Sequence, residues 1–162
     1  MESLLHYVWK HKIFPPHPLT TTDGLPINVI DPGLHNTHQG PDFFNAKIRI
    51  DGQLWVGNVE IHDHATDWFR HHHHTDEAYN NVILHVVGKD DGKAQTQSGN
   101  LIPQMVLAIP EKIQSNYQAL LAEENYPPCY RIIPKLPPIT AHGWLSSLMV
   151  ERLENKTERI FR

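Results

Sequence analysis

The feature that most constrains this chain is a pair of alternating runs joined by Asp51-Gly52. Phe44, Ala46, Ile48 and Ile50 alternate with Asn45, Lys47, Arg49 and Asp51, the two-residue period of a strand with one dry and one polar face. Asp-Gly suits a two-residue hairpin turn, because the favoured turn needs positive φ at both central positions. Leu54, Val56 and the run to Ile61 then form the returning strand, and Gly57 inside it marks a bulge or a close approach of other backbone. Two strands are not stable alone in water, so later segments must widen the sheet. Val82 to Val87, apolar except for His85, reads as a central strand. LIPQMVLAIP reads as a further strand, which Pro103 confines to an edge or a bulge.

Helical patterns surround this sheet. Leu4, Leu5, Val8 and Trp9 share one side of residues 2–12, and Pro15, Pro16 and Pro18 end that helix. Asp23-Gly24 and Asp31-Pro32-Gly33 are turn signals on either side of a short strand at Ile27 to Ile30. Residues 63–80 predict short helical turns near Trp68 and Asp76, with His71 to His74 between them as a solvated loop. Residues 111–124 predict a helix with Ile113, Tyr117, Leu120 and Leu121 as its stripe. Pro127, Pro128, Pro134, Pro137 and Pro138 make 125–141 a linker or rigid arm. Beyond it, 142–162 predicts a helix whose stripe includes Leu145, Leu148, Met149, Leu153 and Ile160. The expected class is α/β, a mixed central sheet flanked by helices. The expected organisation is a domain over 1–124, the linker 125–141 and the helix 142–162. That helix needs a cover: the sheet domain, a second copy in a homodimer, or a C-terminal region beyond this chain.

Composition narrows the function classes. Fourteen Lys plus Arg against 18 Asp plus Glu give a net charge of -4, which argues against a broad basic nucleic-acid face. The single cysteine, Cys129, excludes an internal disulfide framework and a multi-cysteine zinc site. No apolar stretch reaches membrane-spanning length, and MESLLHYVWKHKIF lacks the layout of a secretory signal. The expectation is a soluble cytoplasmic protein that does not enter a membrane. Thirteen histidines in 162 residues are the outlier.

Asp42 stands just before the first strand of the hairpin, and Glu60 and His62 stand two apart near the end of the second. Alternation puts Glu60 and His62 on one face. Two carboxylates and an imidazole at adjacent strand ends can hold a divalent cation and position a water. Asp42, Glu60 and His62 are therefore both the candidate metal ligands and the candidate catalytic residues. The bland alternative is solvated strand ends, or ion pairs to Lys47 or Arg49. His64 is an accessory candidate if the strand continues past Asp63, and His35, Asn36 and His38 can line the same cleft. Lys47 and Arg49 are accessory candidates for phosphate contacts. The ion is Mg²⁺ or Mn²⁺, or Zn²⁺ with His64 or His85 completing its shell. His85 otherwise reads as a core histidine satisfied by a backbone carbonyl.

Pro41-Asp42 followed by Glu60-Ile61-His62 resembles the PD-(D/E)xK, or restriction-endonuclease-like, nuclease superfamily. That resemblance implies a restriction-endonuclease-like core, Asp42 and Glu60 as Mg²⁺ ligands, and hydrolysis of a nucleic acid. His62 occupies the place of the superfamily lysine. A histidine there can act as base, ligate the metal, or mark a relative that keeps the fold only for binding or assembly. Over nearly its whole length the chain also resembles the bacterial family DUF2851. The carriers are LLHYVWKHKIF, GPDFFNAKIRIDGQLWVGNVEIHDHATDW, the pattern from His72 to Val87, and Trp144 to Lys156. This second resemblance implies no activity. It implies a longer protein of which this chain is the N-terminal part.

Overall fold

A computed structural model describes residues 2–124 and 130–160. Pro127, Pro128 and Cys129 lie outside the described residues, as do 161–162 and the side chains of 155 and 158–160, Ile160 of the expected stripe included. The chain forms two compact units, Met1–Gln114 and Ser115–Arg162.

In the first unit α1 (Glu2–Lys10) buries Leu4, Leu5, Val8 and Trp9, and Trp9 Nε1 donates to the carbonyl of Pro32 at 3.0 Å. The strands are β1 (Leu19–Thr20), β2 (Pro26–Asp31), β3 (Leu34–His35), β4 (Phe43–Ile50), β5 (Gln53–His64), β6 (Val82–Lys89) and β7 (Gln104–Val106). Their order is β1-β2-β4-β5-β6-β7, with β3 paired on β4. β2, β4 and β5 form an antiparallel meander, whereas β5, β6 and β7 run parallel. The crossover between β5 and β6 contains α2 (Asp67–Arg70) and 3-10 turns at His73–Thr75 and Glu77–Tyr79. Asp76 accepts a hydrogen bond from the amide of Ala78 at 2.9 Å and so caps the second turn.

The hairpin closes at Asp51 (φ 48°) and Gly52 (φ 79°), the two positive-φ positions its turn requires. Upstream the expected alternation slips by one. Asn45 has φ 55° and sits in a bulge, so Phe43 rather than Phe44 joins Ala46, Ile48 and Ile50 in the core. Asparagine tolerates this backbone region better than most residues, which lets the bulge form without glycine.

The sheet is mixed and flanked by helices, but it is not the open layer that a restriction-endonuclease-like core implies. It is a near-closed barrel. Two residues beyond β1, the Thr22 amide donates to the carbonyl of Gln104 in β7 at 2.7 Å, joining the two ends of the strand order. The cause is curvature: register breaks at Val29/Asp31, Phe43/Ala46 and Asn58/Val59 each bend a strand and add twist.

In the second part of the chain α3 (Glu111–Leu121) buries none of its residues, so the expected stripe there stays open. The final helix, α4 (Pro138–Ile160), starts on a proline, whose missing N–H is no loss at a first helical position. Residues 138–141 are thus helical rather than linker. Trp144, Leu145, Leu148, Met149, Val150 and Leu153 on α4 are exposed.

Gly57 is where β5 meets the start of β6. A Cβ there would lie 2.4 Å from Ile83 Cγ2 and 2.7 Å from the Asn81 carbonyl. Gly57→Ala is expected to lower the unfolding free energy by about 1–3 kcal/mol, read as a drop in the urea midpoint at unchanged m-value.

Candidate metal centre

The polar residues of the centre line up because of strand register. β4 pairs Phe43 with Val59, β5 pairs Glu60 with His85, and β6 pairs His85 with Gln104. Asp42, Glu60, His85 and Gln104 therefore form a row across the sheet, with His62 one pleat further along β5. Glu60, His62, His85 and Gln104 are all buried.

Asp42 and Glu60 are clasped to each other's backbone. The Asp42 amide donates to Glu60 Oε2 at 3.1 Å, and the Ile61 amide donates to Asp42 Oδ2 at 2.9 Å. Proline at position 41 fixes the chain just before this contact. The other Glu60 oxygen, Oε1, lies 3.5 Å from His62 Nε2 and 3.2 Å from His73 Nε2. His62 Nε2 is in turn 3.2 Å from His71 Nδ1.

His62, His71 and His73 present ligand atoms that all lie within 4.8 Å of one another, a cluster able to hold a divalent metal ion. A tetrahedral ion with ligand bonds of about 2.05 Å would separate its ligands by about 3.3 Å. The three close contacts among Glu60, His62, His71 and His73, at 3.2 to 3.5 Å, fall close to that spacing. His73 Nε2 is buried without a hydrogen bond of good geometry, although Glu60 stands beside it. A donor atom left thus is what a metal site supplies. The fit is good.

Sequence reasoning treats His71 to His74 as a solvated loop, because four successive side chains cannot face one ion in regular structure. The segment is not regular. His72 has φ 63°, and this left-handed residue sets His71 and His73 on the same side. His73 stacks on Tyr79 at 3.8 Å between ring centroids, and Trp68 stands edge-on to His73 and within 5.2 Å of His85. His71 stays exposed.

His6 on α1, off the apolar side formed by Leu4, Leu5, Val8 and Trp9, is a further residue of the centre. Its Nε2 lies 3.1 Å from Asp42 Oδ2. The spacing of Glu2 and His6, one helical turn apart on one face, was the available signal.

The other candidates lie elsewhere. β5 does continue to His64, but that ring pairs with Asp91 at 2.6 Å and is half exposed. Lys47 and Arg49 pair with Val56 and Leu54, four and six residues before Glu60, so they stand about 13 and 20 Å away along the strand. Arg49 Nη1 donates to the Gly52 carbonyl at 2.9 Å and braces the hairpin turn. Asn36 closes its own loop through the carbonyls of His38, Gln39 and Pro41. His35 packs on Phe43 and near His6, with ring centroids 5.0 and 5.7 Å away. His85 bonds the Gln104 side chain at 2.9 Å, not the backbone carbonyl expected of a core histidine.

The electrostatics follow from burial. Desolvation, reinforced by the Asp42 charge, raises Glu60 to about 9. Desolvation, with the neighbouring imidazoles, lowers His62 to about 2, and it lowers His85 to about 4. His73 is also lowered by burial. Burial pulls His6 down, but Asp42 with Glu2 and Glu60 outweighs it and raises the imidazole.

Two outcomes are expected. Between the ordinary carboxylate value of 4.5 and the ordinary imidazole value of 6.5, the unfolded chain protonates His62 and His85, which the metal-free fold keeps neutral, with His73 shifted in the same direction, against the one proton that the fold retains on Glu60. It binds more protons than the folded chain, so stability falls as pH drops through this window. Above 6.5 the folded chain holds a proton on Glu60 that the unfolded chain has lost, so stability falls again toward pH 9. Urea midpoints of the metal-free protein across this range should therefore peak near neutral pH. Separately, His62→Ala and His73→Ala should each weaken Zn²⁺ binding by about 100-fold or more, and His64→Ala should not, as read by competition with a chromogenic chelator.

No curated protein and no solved structure matches the chain. Among the described residues no helix is long and apolar enough to cross a membrane. A family model described as "Protein of unknown function (DUF2851)" matches residues 2–162, and the chain therefore belongs to the DUF2851 family.

Proposed function

We propose that this chain is a metal-dependent hydrolase of phosphodiester bonds, acting on nucleic acid. The observation that carries the reading is Glu60: one carboxylate oxygen is held by the Asp42 amide, and the other meets two imidazoles of the histidine cluster. The PD-(D/E)xK pattern has its carboxylates at corresponding places, before one strand and near the end of the next. The order of α1, the β2-β4-β5 meander, α2 and then β6 parallel to β5 supports the same reading.

Three imidazoles and a carboxylate favour Zn²⁺ or Mn²⁺ over Mg²⁺, which prefers oxygen ligands. A bound ion of this kind supplies Lewis acidity and lowers the pKa of a coordinated water. His62, 2% exposed, enters as a ligand held inside the sheet rather than as a mobile base. Asp42 is only part-buried and has His6 beside it, an arrangement able to accept a proton from water at the edge of the centre. Lys47 and Arg49, further along the same pleat face, are this reading's candidates for contacts to a phosphate backbone.

A second reading has its own observation. The exposed Trp144, Leu145, Leu148, Met149, Val150 and Leu153 of α4 suit an assembly surface, whether for a second copy or for further chain beyond 162. In that case the ion is structural and the nuclease-like core is a binding or assembly module.

The test is cleavage of single- and double-stranded DNA and RNA oligonucleotides by the intact protein with Mg²⁺, Mn²⁺ or Zn²⁺. Cleavage should require the ion and fall by about 100-fold or more in Asp42→Ala and Glu60→Ala, with circular dichroism unchanged. Cleavage unaltered in both variants, or none with any ion, refutes the hydrolase. If deletion of 138–162 then changes the oligomeric state while metal binding persists, the assembly module stands.

A further inference from the structure

Behind His62 runs a buried chain of hydrogen bonds that leads away from the histidine cluster. His62 Nδ1 lies 2.8 Å from His85 Nε2, and His85 Nδ1 lies 2.9 Å from Gln104 Oε1. Gln104 Nε2 donates to Asp90 Oδ1 at 2.6 Å and to the Gly92 carbonyl at 2.9 Å. Two acceptors therefore fix which way the amide faces. Turned over, its oxygen would meet a carboxylate and a carbonyl, two repulsive contacts in a part-buried site.

With the amide so oriented, Gln104 Oε1 can only accept. His85 must carry its proton on Nδ1. His85 is fully buried, and its ring nitrogens bond only a neutral amide and another imidazole, so a second proton would be a buried charge without a counter-ion. Its Nε2 is therefore a lone pair, and the donor facing it is His62 Nδ1–H. The remaining nitrogen of His62, Nε2, is then also a lone pair. It is the atom that faces Glu60, His71 and the centre of the cluster.

We propose that Asp90, Gln104 and His85 are positioning residues that hold His62 as its Nδ1–H tautomer, so that its Nε2 is permanently presented as a metal ligand. The relay starts on a loop after β6, passes through β7 and β6, and ends in β5, so it ties ligand chemistry to the parallel half of the sheet. It rests on the metal-centre part of the reading above and deepens it: the site is built to bind an ion at a nitrogen whose proton has already been placed elsewhere. Metal-ligating histidines are commonly oriented this way by a partner on the second nitrogen. Here that partner is an imidazole whose own proton is dictated by an amide two strands away.

The experiment uses the full-length, metal-free protein and needs no substrate. Long-range proton–nitrogen correlation spectra of histidine rings, with His62 assigned from His62→Gln, report which nitrogen carries the proton. His62 is expected as Nδ1–H in the wild type. Gln104→Met, which keeps the volume and removes all three side-chain bonds, should produce a mixture of tautomers and weaken Zn²⁺ affinity about 10- to 100-fold. Asp90→Leu should act in the same direction. Asp90→Asn, which keeps an acceptor oxygen, should restore near-wild-type values. Asp90 is exposed, so its variants carry the test if Gln104→Met fails to fold. A wild-type His62 found as Nε2–H overturns the proposal, as does unchanged tautomer and affinity in Gln104→Met and Asp90→Leu. Protein that binds Zn²⁺ through Nδ1–H His62 yet cleaves nothing refutes the hydrolase and leaves the relay standing. Active protein with Nε2–H His62 does the reverse.

Discussion

Burying a carboxyl and several imidazoles inside a curled sheet obliges the fold to supply a partner for each polar atom. An unmet one costs about 1–3 kcal/mol. Glu60 meets this demand on one oxygen through the Asp42 amide, and its other oxygen lies beside the imidazoles of His62 and His73. His62 meets it through His85 behind and His71 in front. Each partner arrives from a different element, so the arrangement forms only when β4, β5, β6, β7 and the crossover loop are all in register. The site is thus a consequence of completed folding rather than of any local motif.

Curvature serves the same end. The bulges in β2, β4 and β6 bring Thr22 to Gln104, and Gln104 also carries the side chain that bonds His85. One residue of β7 therefore fastens the near-closed sheet through its backbone and the imidazole relay through its amide. A flatter sheet would leave that carbonyl without its donor.

Much of the framework was legible in the sequence. Period-two alternation and Asp51-Gly52 located the hairpin, and the spacing of Glu60 and His62 put them on one face. Asp42 was marked by its place before the strand. What escaped was whatever depends on non-local pairing or on unusual backbone. The parallel register that lines Gln104 up with His85 is set across a crossover, where no turn rule fixes it. The bulge at Asn45 exchanged Phe44 for Phe43 in the core, because one left-handed residue reverses a strand's parity. His71 and His73 were hidden because repetition looks like a solvated run unless the φ of His72 is known. His6 lay on the polar side of a helix whose apolar side drew the reading.

The loop that supplies His71 and His73 leaves β5 at one end of the cluster, whereas His62 and Glu60 are anchored in the sheet itself. Two donors thus ride on one short segment and two on a rigid floor. Loops of this kind open locally at far lower cost than sheet interiors. Opening of that segment would release both of its imidazoles together, so an ion leaving the cluster would lose half its shell in one movement. Residence time would then follow the opening of the loop more than the strength of any single bond.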